Sequence, residues 1–210
     1  MLSDIIYNKY HELCIKKSDI NEHLPTLFKY ASECESVIEC GVRRCVSSWA
    51  LAYGLLNNGK SAKKLLLNDV TICNIDEIIH ATTQLDIDLS FQWCSNLELI
   101  MEEPYDMVFI DTWHVYGQLK RELAKFGNIV KKYIILHDTT VDAVYGESVR
   151  NKHNVQEKME TYGMTEEEVT TGLQRAIDEF LIDNPNWKVL EVFTNNNGLT
   201  ILENVGVIGC

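Results

Sequence analysis

The sequence predicts an α/β protein, a three-layer sandwich around a mostly parallel seven-stranded sheet. Three observations predict it. Five short apolar runs alternate with helix-patterned segments between residues 36 and 137, as in a parallel sheet covered on both faces. Two more apolar runs flank Asn195-Asn196-Asn197-Gly198, a strong hairpin turn, so the sheet should end in an antiparallel pair. Hydrophobic residues make up 46% of 210 positions, enough for one core, and neither a linker nor a repeat marks a domain boundary. A single domain over 1–210 is expected.

Each element follows from its pattern. Residues 3–32, within an N-terminal segment of 1–35, read as helical because Ile5, Ile6, Tyr10, Leu13 and Cys14 recur at helical spacing. Ser36–Cys40 reads as the first strand and stops at Gly41. A helix from Val46 to Leu56 is closed by Asn57-Asn58-Gly59. Lys64–Asp69 reads as a strand, Ile75–Thr83 as a helix, Asp88–Trp93 as a strand and Asn96–Glu102 as a short helix. Asp106–Ile110 is expected as a strand, Tyr116–Val130 as a helix and Tyr133–His137 as a strand. Residues 140–165 are polar and irregular, and a connection of that length suits a lid or acceptor loop. Glu166–Ile182 reads as one helix, with Trp187–Phe193 and Leu199–Glu203 as the hairpin strands.

Composition narrows the function. A net charge of −12 argues against a broad phosphate-binding face, and so against nucleic acid, while leaving room for a local basic pocket. No apolar run approaches the ~20 residues that cross a membrane. The seven cysteines (Cys14, Cys34, Cys40, Cys45, Cys73, Cys94 and Cys210) form no CxxC pair, which disfavours zinc. No secretory segment opens the chain, so reduced thiols and a cytoplasmic location are expected.

Two sites stand out. In open parallel sheets ligands bind beyond the carboxyl ends of the strands. Glu39 and Gly41 lie at such an end, and Ser47 and Ser48 can cap the next helix or bond a ligand. Asp69 ends the second strand, where an acid can accept hydrogen bonds from ribose hydroxyls or simply cap a helix. Ser95 and Asn96 follow the third strand, placed to bond the edge of a base or to cap. Arg43 and Arg44 suit either a ligand carboxylate or solvent. The second site pairs Asp111, after strand four, with Asp138, after strand five. Neighbouring strands would bring these carboxylates together, where they repel unless a positive group lies between them. A hard divalent cation would satisfy both, and two separate helix caps are the other reading.

Glu39-x-Gly41 resembles the cofactor site of class I S-adenosyl-L-methionine-dependent methyltransferases, whose Rossmann-like sheet ends in an antiparallel strand. This chain has Cys45 where many relatives carry a second glycine. Asp106-Met107-Val108-Phe109-Ile110-Asp111 and Tyr133-Ile134-Ile135-Leu136-His137-Asp138 resemble the metal-dependent O-methyltransferases, and the chain is also similar to a bacterial and viral methyltransferase group that includes sugar O-methyltransferases. The resemblance implies cofactor binding by Glu39, Gly41, Ser47, Asp69, Ser95, Asn96 and Asp111. It implies a divalent metal, magnesium, on Asp111 and Asp138, with Thr139, where the relatives carry asparagine, or water as the third ligand, and His114 in the place of the relatives' lysine base. The implied acceptor is a small hydroxylated molecule such as a sugar or sugar nucleotide, and a homo-oligomer is open.

The expected chemistry is an in-line displacement. Positioning supplies ~7–11 kcal/mol of the barrier, a cation acidifies the acceptor hydroxyl, and His114 accepts the proton. A helix start would favour the neutral imidazole. His137 is expected to position substrate or structure, and Trp113 and Tyr116 to pack or wall the pocket. Two alternatives stay open: a cofactor-binding protein without turnover, and a hydroxylase-type metal enzyme.

Overall fold

The computed structural model describes residues 2–206. Cys210 lies outside them, and the six other cysteines are all free. The chain runs through helices α1 (Leu2–Ile15) and α2 (Leu24–Ala31), strand β1 (Ser36–Cys40), α3 (Val46–Leu56) and β2 (Lys64–Asp69). It continues with α4 (Asp76–Thr83), β3 (Asp88–Trp93), β4 (Tyr105–Ile110), α5 (Tyr116–Phe126) and β5 (Val130–His137). Last come α6 (Glu147–Arg150), α7 (Val155–Tyr162), α8 (Glu166–Thr170), α9 (Leu173–Asp183), β6 (Trp187–Phe193) and β7 (Leu199–Asn204).

The seven strands form one sheet in the order β3-β2-β1-β4-β5-β7-β6. β1 to β5 pair in parallel, and β7 runs antiparallel to both β5 and β6. The expected antiparallel ending is therefore present. Alternation along the strands builds two cores. Val37, Leu65, Leu67, Phe109 and Ile135 face α1 to α4. Ile38, Leu66, Val108, Ile134 and Leu136 face α5 and α9. Among the described residues no helix is long and apolar enough to cross a membrane.

The helix expected over Tyr116–Val130 ends at Phe126, and Val130 instead opens β5 opposite Tyr105. Four further elements differ, each for a local reason. The N-terminal helix divides in two: Asn21 Nδ2 donates to the Cys14 carbonyl (3.1 Å), Asn21 Oδ1 accepts from the Ser18 amide (3.0 Å), and Pro25 sits in the first turn of α2. Residues 96–98 make only a single 3-10 turn. Residues 140–165 are not irregular but carry α6 and α7. The helix expected over Glu166–Ile182 breaks between α8 and α9, where Thr171 pairs with Tyr145. Beside it, a Cβ on Gly172 would lie 2.3 Å from the Asp142 carbonyl, so only glycine lets the two segments touch.

The β6–β7 turn ties distant parts of the chain together. Asn196 and Asn197 adopt positive φ angles (44° and 73°), which asparagine tolerates. Asn196 accepts the Glu22 amide (3.1 Å) and donates to the Ser18 carbonyl (2.9 Å). The Asn197 carbonyl accepts the amides of Thr140 and Val141, both at 3.0 Å. His23 Nε2 lies 3.0 Å from the Asn195 carbonyl.

Candidate functional site

The site begins where the parallel ladder runs one residue past the strands. Gly41 donates to the Asn68 carbonyl and Asp111 to the Cys40 carbonyl, both at 2.9 Å. Gly41 sits at φ +95°, and a Cβ there would come within 1.9 Å of the Asp111 carbonyl oxygen. Arg43 (φ 47°) and Cys45 (φ 58°) share this left-handed region at a cost of about 1 kcal/mol or more each. Asp69 offsets that strain. Its Oδ2 accepts the amides of Val42 and Arg43 (3.0 Å each), and its Oδ1 accepts the amide and hydroxyl of Thr71 (2.8 Å each). Burial opposes the Asp69 charge, but these donors hold the carboxyl below its ordinary range.

Glu39 lies beneath this loop rather than on a cavity wall. It is fully buried, Ser47 donates to its Oε1, and its Oε2 has no partner among the described residues. Burial pushes its carboxyl up to about 8.

Two cavities meet at the loop. The first, about 470 Å³, is walled by Asp69, Ser95, Asn96, Trp113, Gln118 and Tyr162, together with Gly41, Arg43 and Asp111. Its volume and polar edges suit a nucleoside. Ser95 caps the turn at Leu97 (3.3 Å). Asn96 donates to the buried Glu122 (2.5 Å) and accepts from Gln118 (3.2 Å). Lys125 anchors the same turn through the carbonyls of Asn96, Leu97 and Leu99. α7 covers the mouth: Tyr162 packs on Trp113 with ring centroids 4.8 Å apart, and Lys158 lies over both rings. The second cavity, about 320 Å³, opens between the end of α1, the Gly41–Ser47 loop and α4, and it shares Gly41, Arg43 and Asp111 with the first.

The carboxylates of Asp111 and Asp138 do converge, and His114 lies between them. Its Nε2 is 3.1 Å from Asp111 Oδ1 and its Nδ1 is 3.0 Å from Asp138 Oδ2. Asp142 (3.4 Å) and Glu147 (3.6 Å) complete a ring of four acids around the imidazole. Burial opposes charge on His114, but the hydrogen bond to Asp111 and the nearby carboxylates of Asp138 and Asp142 outweigh it and raise the imidazole well above its ordinary value. The neutral imidazole expected at a helix start is therefore overridden by the acids. His137 Nδ1 lies 3.3 Å from the same Asp111 oxygen, and its Nε2 lies 3.3 Å from the Asn196 carbonyl. Burial works against the Asp111 charge as well, and the two histidines hold it well below the carboxylate range. Asp138 adopts φ +57°, a strained backbone of the kind found at functional sites.

The cluster fits a divalent cation. One ligand atom from each of Asp111, His114 and Asp138 lies within 4.8 Å of the others. Asp138 Oδ1 is buried with no hydrogen-bond partner, which leaves an acceptor in want of a positive group. The two carboxylates suit a hard cation such as magnesium or manganese, and the imidazole shifts the preference from magnesium towards a first-row transition metal. Thr139 follows Asp138 directly, and its hydroxyl accepts from Thr200 of β7 (2.9 Å).

The structure thus brings Gly41, Asp69, Ser95, Asn96 and Asp111 onto one cavity, Ser47 onto the other, and Asp111, His114 and Asp138 into one cluster. Asp142, Glu147 and Arg150 escaped the sequence reading. Arg150 grips Asp142 with two 2.7 Å bonds, yet no motif marks these residues within 140–165. The Gly146 and Gly172 flanks were the available signal that this segment packs closely.

No family model matches the sequence, and no curated protein matches it. Solved structures match over nearly its whole length. An O-methyltransferase from Bacillus cereus in complex with SAH is 14% identical over 97% of this chain and 90% of that chain, with a TM-score of 0.58. The O-methyltransferase TomG from Streptomyces achromogenes, in complex with SAM, is 10% identical over 98% and 90%, with a TM-score of 0.58. The N-methyltransferase NodS from Bradyrhizobium japonicum is 12% identical over 90% and 98%, with a TM-score of 0.56. The chain has the class I S-adenosylmethionine-dependent methyltransferase fold.

Proposed function

We propose that the protein methylates an oxygen of a small hydroxylated acceptor, such as a sugar or sugar nucleotide, using S-adenosylmethionine and a divalent cation. When bound, the cofactor supplies an activated methyl group and the cation makes the acceptor hydroxyl more acidic. The observation that carries the reading is the Asp111–His114–Asp138 cluster, which meets the wall of a nucleoside-sized cavity at Asp111. A carbon–oxygen bond forms as the carbon–sulfur bond breaks, and the hydroxyl proton leaves.

The chain's own residues divide this work. Gly41 keeps the strand end open, and Asp69 holds the loop that carries it. Asp111, His114 and Asp138 would hold the cation. A bound cation would displace a proton from His114 and take one ring nitrogen as a ligand, so His114 is assigned to the metal rather than to the acceptor's proton. Glu147, the most exposed acid of the cluster, receives the proton at its carboxylate. His137 fixes the orientation of Asp111, as supporting residues do around metal ligands. Trp113 and Tyr162 exclude water from the cavity mouth.

Calorimetry with S-adenosylhomocysteine, with and without manganese, tests the reading. Binding is expected, together with a manganese-dependent rise in melting temperature. An absence of S-adenosylhomocysteine binding refutes it.

A further inference from the structure

We infer that the acceptor carries a phosphate or diphosphate group, held in the second cavity by Lys16, Lys17 and Arg44. The word acceptor rests on the methyltransferase reading above; the anion site does not.

The cavity is placed for an acceptor. It meets the nucleoside-sized cavity at Gly41 and Asp111, so a molecule lying in it reaches the point where the two ligands would touch. Its charge is unlike that of the chain. Five cations and four acids line it, whereas the whole sequence has 19 lysines and arginines against 31 acids. Two of those cations are neutralised, Lys9 by Glu77 (3.3 Å) and Arg43 by Asp19 (3.0 Å). Asp111 is occupied by His114 and His137. Among the described residues Lys16, Lys17 and Arg44 make no ion pair, and Glu12 is the only other acid on the wall. A surplus of positive charge therefore faces the cavity. The first turn of α3 opens on the same wall without a side-chain cap, and its dipole adds to that field.

The amino-acid end of the cofactor does not account for this surplus. It is a zwitterion, so it brings as much positive charge as negative. A phosphate group brings about 1.5 to 2 negative charges and several acceptor oxygens, which match three unpaired cations. A local basic pocket on an acidic protein also rejects polyanions that cannot enter it.

The test uses the full chain and calorimetry with inorganic pyrophosphate and, separately, uridine diphosphate. The combined exchange Lys16→Ala, Lys17→Ala and Arg44→Ala is compared with a control that removes equal charge elsewhere, Lys131→Ala, Lys152→Ala and Lys188→Ala. All six residues are exposed, so the fold is not at stake. We expect both probes to bind the wild type in a salt-sensitive manner. The cavity variant should weaken both by about tenfold or more, and the control should leave both unchanged. S-adenosylhomocysteine affinity should survive in the cavity variant. The inference is overturned if the wild type ignores both probes, or if the control weakens them as much as the cavity variant does. It is also overturned if the cavity variant loses S-adenosylhomocysteine but keeps 5′-methylthioadenosine, because the cations would then read the cofactor's carboxylate. Failure of the wild type to bind S-adenosylhomocysteine would count against the methyltransferase reading alone.

Discussion

Glu39→Gln should remove a measurable share of the pH dependence of the protein's stability. Glu39 is wholly buried, and its carboxyl rises from an ordinary 4.5 to about 8. In the unfolded chain the group ionises at its ordinary value. Between those two values the folded state binds more protons, so stability falls as pH rises. Glu39's contribution is complete below 4.5 and gone above about 8. Each unit is worth about 1.4 kcal/mol, and the whole window about 5 kcal/mol. Between about pH 5.5 and pH 8.5 its share is about 3 kcal/mol. Urea unfolding of both proteins at these two pH values measures it, because every other group is common to the pair and cancels. Wild type should lose about 3 kcal/mol more than Glu39→Gln on going to the higher pH. Parallel responses, within about 1 kcal/mol, would refute the claim that Glu39 is held protonated by burial.

Gly41→Ala should destabilise the protein by roughly 2–4 kcal/mol, seen as a lower urea midpoint, and abolish S-adenosylhomocysteine binding, because its Cβ meets the Asp111 carbonyl. Asp138→Asn should erase the manganese-dependent rise in melting temperature, read by differential scanning fluorimetry. Asp69→Ala strips acceptors from two loop amides and should cost about 1–3 kcal/mol, with faster proteolysis between Gly41 and Cys45. Arg150→Met leaves the buried Asp142 without its main partner and should cost roughly 2 kcal/mol in urea unfolding, discounted for the half-exposed guanidinium.

Most of the fold was legible because its strands are short, apolar and punctuated. Val37 to Cys40 stops at Gly41, and the three asparagines before Gly198 mark the hairpin. What failed was local. Nothing in the helical spacing of residues 3–32 reveals that Asn21 folds back on Cys14. The break at Thr171–Gly172 depends on a partner strand segment at Tyr145, which periodicity cannot register. In the site, Asp111 and Asp138 were readable because each follows an apolar strand. The ring around His114 was not, since Asp142 and Glu147 arrive from a segment with no strand or helix period to place them. Asp69 was readable as a site residue, but its engagement by the chain's own amides depends on the path of the Gly41–Cys45 loop.

The asparagine turn between β6 and β7 sets an order on how this protein can be made. Ser18, Glu22 and His23 emerge early from a ribosome, yet the groups that hold them belong to Asn195 and Asn196. The same turn fastens Thr140 and Val141, just beyond Asp138. A nascent chain halted before residue 195 can form its parallel strands and pack α1 and α2 on α3, but it cannot fasten the Ser18–His23 connection, so that part of the rim is finished only near the end of synthesis.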